Sequence, residues 1–140
     1  MTDQTRPSVL FVCVKNGGKS QMAAALMRHE AGDSIEVHSA GTHPGSKLNE
    51  ASAASVARIG GSFEGESPKA IDPALLARVN RVVVIGDEAR VDPVEGMNGT
   101  IETWQTDEPS LRGIEGDERM DLIRDDLVQR VGALRTQLVG

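Results

Sequence analysis

Two uninterrupted apolar runs, Val9-Leu-Phe-Val-Cys-Val14 and Val82-Val-Val-Ile85, constrain the fold of this chain more than any other feature. Each is short and rich in β-branched residues, with no polar residue alternating in. Such a run reads as a strand covered on both faces, which is the situation in a parallel sheet with helices above and below it. With their flanks, these strands span Ser8–Val14 and Arg81–Ile85. Ser34–Ser39 alternates more weakly, as suits an edge strand, and Thr100–Trp104 alternates as well. The intervening segments are helical in character. Gln21–Ala31 is rich in Ala, Met and Leu and stops at Gly32. Asn49–Ile59 opens on a capping Asn and stops at Gly60-Gly61. Pro73–Val79 follows Asp72, an N-cap with proline at the first helical position. In the last helix Met120, Ile123, Leu127, Val131, Leu134 and Leu138 recur at helical spacing and form a core-facing stripe. Strands alternating with helices imply parallel pairing through right-handed crossovers. The expectation is an α/β fold: a three-layer, open, four-stranded parallel sheet flanked by helices. It forms one domain over residues 1–140, with residues 1–7 a flexible N-terminal segment.

Composition narrows the function. The 140 residues suit one domain, and 39% hydrophobic with 26% charged residues is a soluble, globular balance. The aromatics are Phe11, Phe63 and Trp104 and there is no Tyr, so the core is aliphatic and no platform exists for stacking bases. A net charge of -6 argues against nucleic acid and anionic membrane surfaces as partners. No apolar run approaches the roughly 20 residues of a membrane span, and the first residues lack the pattern of a signal peptide. A cytoplasmic protein is expected. One cysteine makes no internal disulfide, and with three scattered histidines it makes no zinc site, so no metal is expected. In a reducing compartment Cys13 is then either buried filler or a nucleophile. The long loops 86–99 and 105–116 both follow strands, where ligands bind in open parallel sheets.

The segment Cys13-Val-Lys-Asn-Gly-Gly-Lys-Ser20 lies where the first strand ends and the first helix begins. Gly17 and Gly18 let the backbone turn with its N–H groups pointing inward. Successive inward N–H groups make a concave anion site, and a helix N-terminus adds about half a positive charge. Lys19, with Lys15, adds full charges. A cysteine facing that site would have its thiolate stabilised by the same donors, so nucleophile and anion pocket would be one object. The run Gly-Gly-Lys-Ser is not a nucleotide-binding P-loop, because that motif requires a glycine where Cys13 stands.

Val9-Leu-Phe-Val-Cys13, with Asn16, Lys19 and Ser20-Gln-Met-Ala23, resembles the signature of the low-molecular-weight protein tyrosine phosphatase family, and within it the arsenate reductase branch. Asn16-Gly-Gly-Lys-Ser20 resembles the members that use mycothiol as reductant. Ser39-Ala-Gly-Thr42, Pro68-Lys-Ala-Ile71 and the stretch from Trp104 to Met120 resemble other landmarks of the family. The resemblance implies a catalytic Cys13 and an oxyanion cradle of Val14, Lys15, Asn16, Gly17, Gly18, Lys19 and Ser20. Ser20 would donate to the Cys13 thiolate, and Asn16 would hold the loop in a strained shape, through Ser39. It implies arsenate as substrate, no tightly bound cofactor, mycothiol as thiol co-substrate, and a glutaredoxin-like mycoredoxin as reductase partner.

The chain departs from the family pattern at three places. Where the phosphatase loop carries arginine this chain has Lys19, a mobile point charge without the planar fork that grips two oxygens of a tetrahedral anion. Phosphoryl transfer leans on that grip more than arsenate exchange does, which favours arsenate. Where the family places Asp before Pro, this chain has Asp107-Glu108-Pro109, and either carboxylate can be the general acid. A solvated loop with an N-cap is the plain alternative there. The further cysteines of thioredoxin-coupled arsenate reductases are missing: the corresponding stretch is Gly86-Asp-Glu-Ala-Arg-Val-Asp92, to which no role is assigned. Two rivals remain at this point, a phosphatase acting on phosphotyrosine or small aryl phosphates and a non-catalytic oxyanion-binding module.

Overall fold

Successive residues of a strand face opposite sides of its sheet, so a strand apolar at every position must be buried twice. The first strand shows this directly. In a computed structural model describing residues 6–139, β1 (Ser8–Cys13) turns Val9 and Phe11 to one side and Leu10 and Val12 to the other. All four are fully buried. On the first side they pack with Val83, Ile85 and Trp104 beneath three helices, α1 (Lys19–Ala31), α2 (Glu50–Ala57) and α4 (Gly116–Val139). On the second they pack with Val82 and Val84 beneath Leu76 of α3 (Pro73–Arg78) and Val79. The sheet adds β2 (Glu36–Gly41), β3 (Arg81–Ile85) and β4 (Thr100–Trp104), in the order β2-β1-β3-β4. All three pairings are parallel. The expected three-layer α/β architecture and the edge position of β2 are as read from the sequence.

The boundaries shift by small amounts. β1 stops at Cys13 rather than Val14, because Val14 already belongs to the loop. β2 begins at Glu36 after a 3-10 turn at Gly32–Ser34, and runs on to Gly41. α1 begins at Lys19, so the last two residues of the glycine loop form its first turn. α2 and α3 are shorter than expected but carry the expected caps. Asn49 Oδ1 accepts from Ser52 N at 2.8 Å and Asp72 Oδ1 from Ala74 N at 3.0 Å. On α4 the stripe Met120, Ile123, Leu127, Val131 and Leu134 is buried. Of the expected flexible segment, residues 1–5 lie outside the described residues, and the Pro7 carbonyl accepts from Glu36 N at 2.8 Å. No helix among the described residues is long and apolar enough to cross a membrane.

This topology positions one place on the molecule. From β1 the chain moves outward to β2, then returns past β1 to β3, so the connections leaving the ends of β1 and β3 diverge. A crevice opens at such a switch point. The register pairs Cys13 with Gly41, Val12 with Val84 and Ile85 with Trp104, so the ends of all four strands lie along one edge of the sheet.

Candidate active site

Cys13 is the last residue of β1, half-buried, and faces the crevice. The loop that follows is folded by its carbonyl groups. Those of Cys13, Val14 and Lys15 accept from the N–H groups of Thr42, His43 and Gly45 at 3.0, 2.8 and 2.9 Å. The Gly17 carbonyl accepts from Asn49 N at 2.7 Å. A planar trans peptide points its N–H opposite to its C=O. Carbonyls turned outward to the 42–49 segment therefore turn the N–H groups of Val14, Lys15, Asn16 and Gly18 inward. The Asn16 N–H indeed points at Cys13 Sγ, 3.3 Å away. α1 starts directly from this loop with no side chain capping it, leaving its first N–H groups open to the crevice.

The glycines work differently from the expectation. The left-handed residue of the loop is Asn16, at φ 55°, and not a glycine. Gly17 is required by proximity instead: a Cβ there would stand 3.0 Å from the Lys47 carbonyl oxygen.

Asn16 holds that conformation because its fully buried side chain is pinned by three partners. Nδ2 donates to Ser20 Oγ at 2.7 Å, and Oδ1 accepts from Lys69 N at 3.0 Å and Gln21 Nε2 at 3.2 Å. The expected link from Asn16 through Ser39 is absent: the Ser39 hydroxyl is buried without a partner, while Ser20, Gln21 and Lys69 take its place. Ser20 Oγ lies 2.9 Å from Cys13 Sγ. The Asn16 amide donates to that oxygen as well, so Ser20 links Asn16 to the sulfur. The chain Asn16–Ser20–Cys13 brings the Ser20 hydroxyl to the sulfur.

The crevice over Cys13 has a volume of about 650 Å³ and is walled by Lys15, Lys19, Asp87, Glu88, Thr106 and Glu108 among others. A neighbouring cavity of about 520 Å³ shares Lys15 and Lys19 but not Cys13, so the chemistry belongs to the first. Asp107 and Glu108 part company here. Asp107 turns away onto Arg112, in a two-point pair at 2.8 and 3.1 Å that holds its carboxyl below the usual range. Glu108 faces the crevice. Its carboxylate accepts from Arg119 Nε at 2.7 Å and Nη2 at 2.9 Å, and lies 4.0 Å from Lys19 Nζ. The Arg119 guanidinium, followed by the hydroxyl and N–H of Ser110, holds Glu108 at about 2. The sequence reading missed Arg119, and it assigned no role to Asp87 and Glu88 on the crevice wall. Only Glu88 and Asp87 carried any signal, as polar residues just beyond the end of an apolar strand.

With the geometry in view, comparison with known proteins is direct. The profile of the family described as low molecular weight phosphotyrosine protein phosphatase matches residues 8–136. A putative arsenate reductase of Halobacterium salinarum is 29% identical over 86% of this chain and 85% of its own length. Among solved structures, a thioredoxin-dependent arsenate reductase of Corynebacterium glutamicum superposes with a TM-score of 0.75 at 28% identity, covering 94% of this chain. This chain spans 61% of that protein's length. An arsenate reductase in a phosphate-binding state superposes with a TM-score of 0.80, over 94% of this chain and 98% of its own, and at 22% identity it speaks for the fold. The family profile across nearly the whole chain, the parallel sheet and the cysteine at the mouth of its first strand agree: the chain belongs to the low molecular weight phosphotyrosine protein phosphatase family and resembles that family's arsenate reductases.

Proposed function

We propose that this protein is a cytoplasmic arsenate reductase that works as an arsenate–mycothiol transferase, with Cys13 as nucleophile. The observation that carries this reading is the pairing of Cys13 Sγ with Ser20 Oγ at 2.9 Å and Asn16 N at 3.3 Å, inside a loop whose inward N–H groups suit a tetrahedral oxyanion. Relatives named as arsenate reductases support the substrate. So does Lys19, since a point charge grips a phosphoryl transition state less well than a guanidinium.

Arsenate binds on the loop N–H groups with Lys19 balancing its charge. The Cys13 thiolate attacks arsenic, an arsenic–sulfur bond forms, and one arsenate oxygen leaves as water. Of Asp107 and Glu108, Glu108 is the carboxylate that lines the crevice over Cys13. The negative charge of bound arsenate raises its proton affinity, so that it can take up a proton and pass it to the departing oxygen. A mycothiol thiolate then takes arsenic(V) from Cys13 and restores the enzyme thiolate. A mycoredoxin thiolate attacks the mycothiol sulfur and forms a mixed disulfide, and the two electrons left on arsenic release arsenite.

The 140 residues hold one cysteine, so no second thiol in them can resolve the Cys13 adduct, and exchange between sulfurs depends on access. Arsenite production is expected with mycothiol and mycoredoxin, very little with thioredoxin and its reductase, and none from Cys13→Ser under either condition. Repeated turnover on thioredoxin without a small thiol would overturn the thiol-transferase scheme. Steady hydrolysis of an aryl phosphate without arsenate reduction would replace it with the phosphatase reading.

A further inference from the structure

We propose that Arg119 is a positioning residue that keeps Lys19 available to the oxyanion by engaging both oxygens of Glu108, so that the carboxylate stays at the outer limit of its ion pair with Lys19 and does not close on it. The inference rests on the reading of residues 13–20 as an oxyanion site and is independent of which thiol the enzyme uses.

Lys19 serves the incoming oxyanion, and of the acidic side chains on the crevice wall, Asp87, Glu88 and Glu108, it is Glu108 that is ion-paired with it. The oxyanion and Glu108 come to the same crevice, and Glu108 Oε1 stands 4.0 Å from Lys19 Nζ, already at the outer limit of an ion pair. A carboxylate seated on Lys19 would be a built-in competitor for every anion. Arg119 limits this pairing to its long 4.0 Å form. It binds both oxygens of Glu108, at 2.7 and 2.9 Å, and two parallel hydrogen bonds from a planar fork fix direction as well as distance. Ser110 adds its hydroxyl to Oε2 at 2.7 Å, so the carboxylate is shared with donors other than Lys19.

The placement of Arg119 is an independent observation. It lies in the opening turns of α4, which begins at Gly116, where the helix dipole disfavours a cation. It is also mostly withdrawn from water, with its side chain 30% exposed. A cation in an unfavourable position with limited solvent is there for its partner. In this chain the need is greater than with an arginine in the loop, because Lys19 is a single mobile point charge that a neighbouring carboxylate can occupy completely.

The test is a double-mutant cycle read by calorimetric binding of inorganic phosphate and of arsenate, without any reductant. Arg119→Gln should weaken both anions by about tenfold, an interaction of the size such cycles report between touching charges. Glu108→Gln alone should bind at least as tightly as the wild type. In the Glu108→Gln background, Arg119→Gln should change affinity by less than about threefold, since the internal competitor is gone. Arg119→Lys keeps the charge and gives up the fork, so it should lose affinity to an intermediate degree, and it serves the same cycle where the Gln variant does not fold. Equal losses in both backgrounds would mean that Arg119 attracts the anion by its own charge, and would overturn the proposal. No loss in either background would overturn it too. A wild-type chain that binds neither anion overturns the oxyanion site itself, and the role of Arg119 with it.

Discussion

Neighbouring carboxylates need not share a fate, and the arginines of this chain decide between Asp107 and Glu108. Arg112 follows within the same loop and draws Asp107 outward, while Arg119 reaches from α4 and keeps Glu108 at the crevice. If Glu108 handles the proton of the departing oxygen, Glu108→Gln lowers kcat for arsenate by about 10²-fold, the usual scale of a general acid. Asp107→Asn, which disturbs an exposed ion pair, stays within about threefold, consistent with the small value of such pairs. Steady-state kinetics with saturating thiol distinguishes the two. The reverse ranking would move the acid to Asp107. Asn16 teaches a related lesson. It takes the positive φ of the loop not because asparagine is free to do so but because Ser20, Gln21 and Lys69 occupy every polar atom of its side chain.

At the scale of elements, the exposed edge of the sheet is tied down by charge. Glu36, the first residue of β2, pairs through both oxygens with Arg78 at the end of α3, at 3.1 and 2.5 Å, and with His38 on its own strand. Arg78 first, and then His38, holds the Glu36 carboxyl at about 2, against an ordinary 4.5. The folded protein thus binds this proton more weakly than the unfolded chain does. The stabilisation is complete above about pH 5 and is lost as the pH falls toward 2. Arg78 is largely exposed, so the pair contributes at the surface scale of about 1 kcal/mol or less. Glu36→Gln should lower Tm by about 1–4 °C at pH 7. Melting curves of the two proteins should converge below about pH 3, where the wild-type carboxylate also begins to carry its proton.

At the scale of the whole molecule, the anion loop exists only because β2 ends in a residue without a side chain. A Cβ on Gly41 would lie 2.6 Å from the Val14 carbonyl oxygen and 3.0 Å from Asn16, both parts of the loop wall. Backbone must move to admit it, so Gly41→Ala should cost stability on the overpacking scale, roughly 1–3 kcal/mol or about 2–10 °C in Tm. It should also weaken phosphate binding by at least about tenfold, since the displaced atoms are those that aim the loop N–H groups. Loss of Tm with unchanged anion affinity would show that the loop does not depend on this contact.

What could be read directly from the chain was whatever its chemistry keeps local. The doubly apolar runs at Val9–Val12 and Val82–Ile85 require cover on both faces. The caps at Asn49 and Asp72 act within one turn, and the Cys13–Ser20 loop carries nucleophile, hydroxyl and cation on contiguous residues. Other features were decided only when distant segments met. Lys69 N reaches Asn16 from the approach to α3, the 42–49 segment turns the loop carbonyls outward, and Arg119 comes to Glu108 from α4. None of these leaves a local signal, because a hydrogen bond or ion pair between remote residues depends on a distance that neither periodicity nor composition encodes. The choice between Asp107 and Glu108 belongs to this second class. Both are acids before a proline, and only the packed helix shows which one the crevice receives.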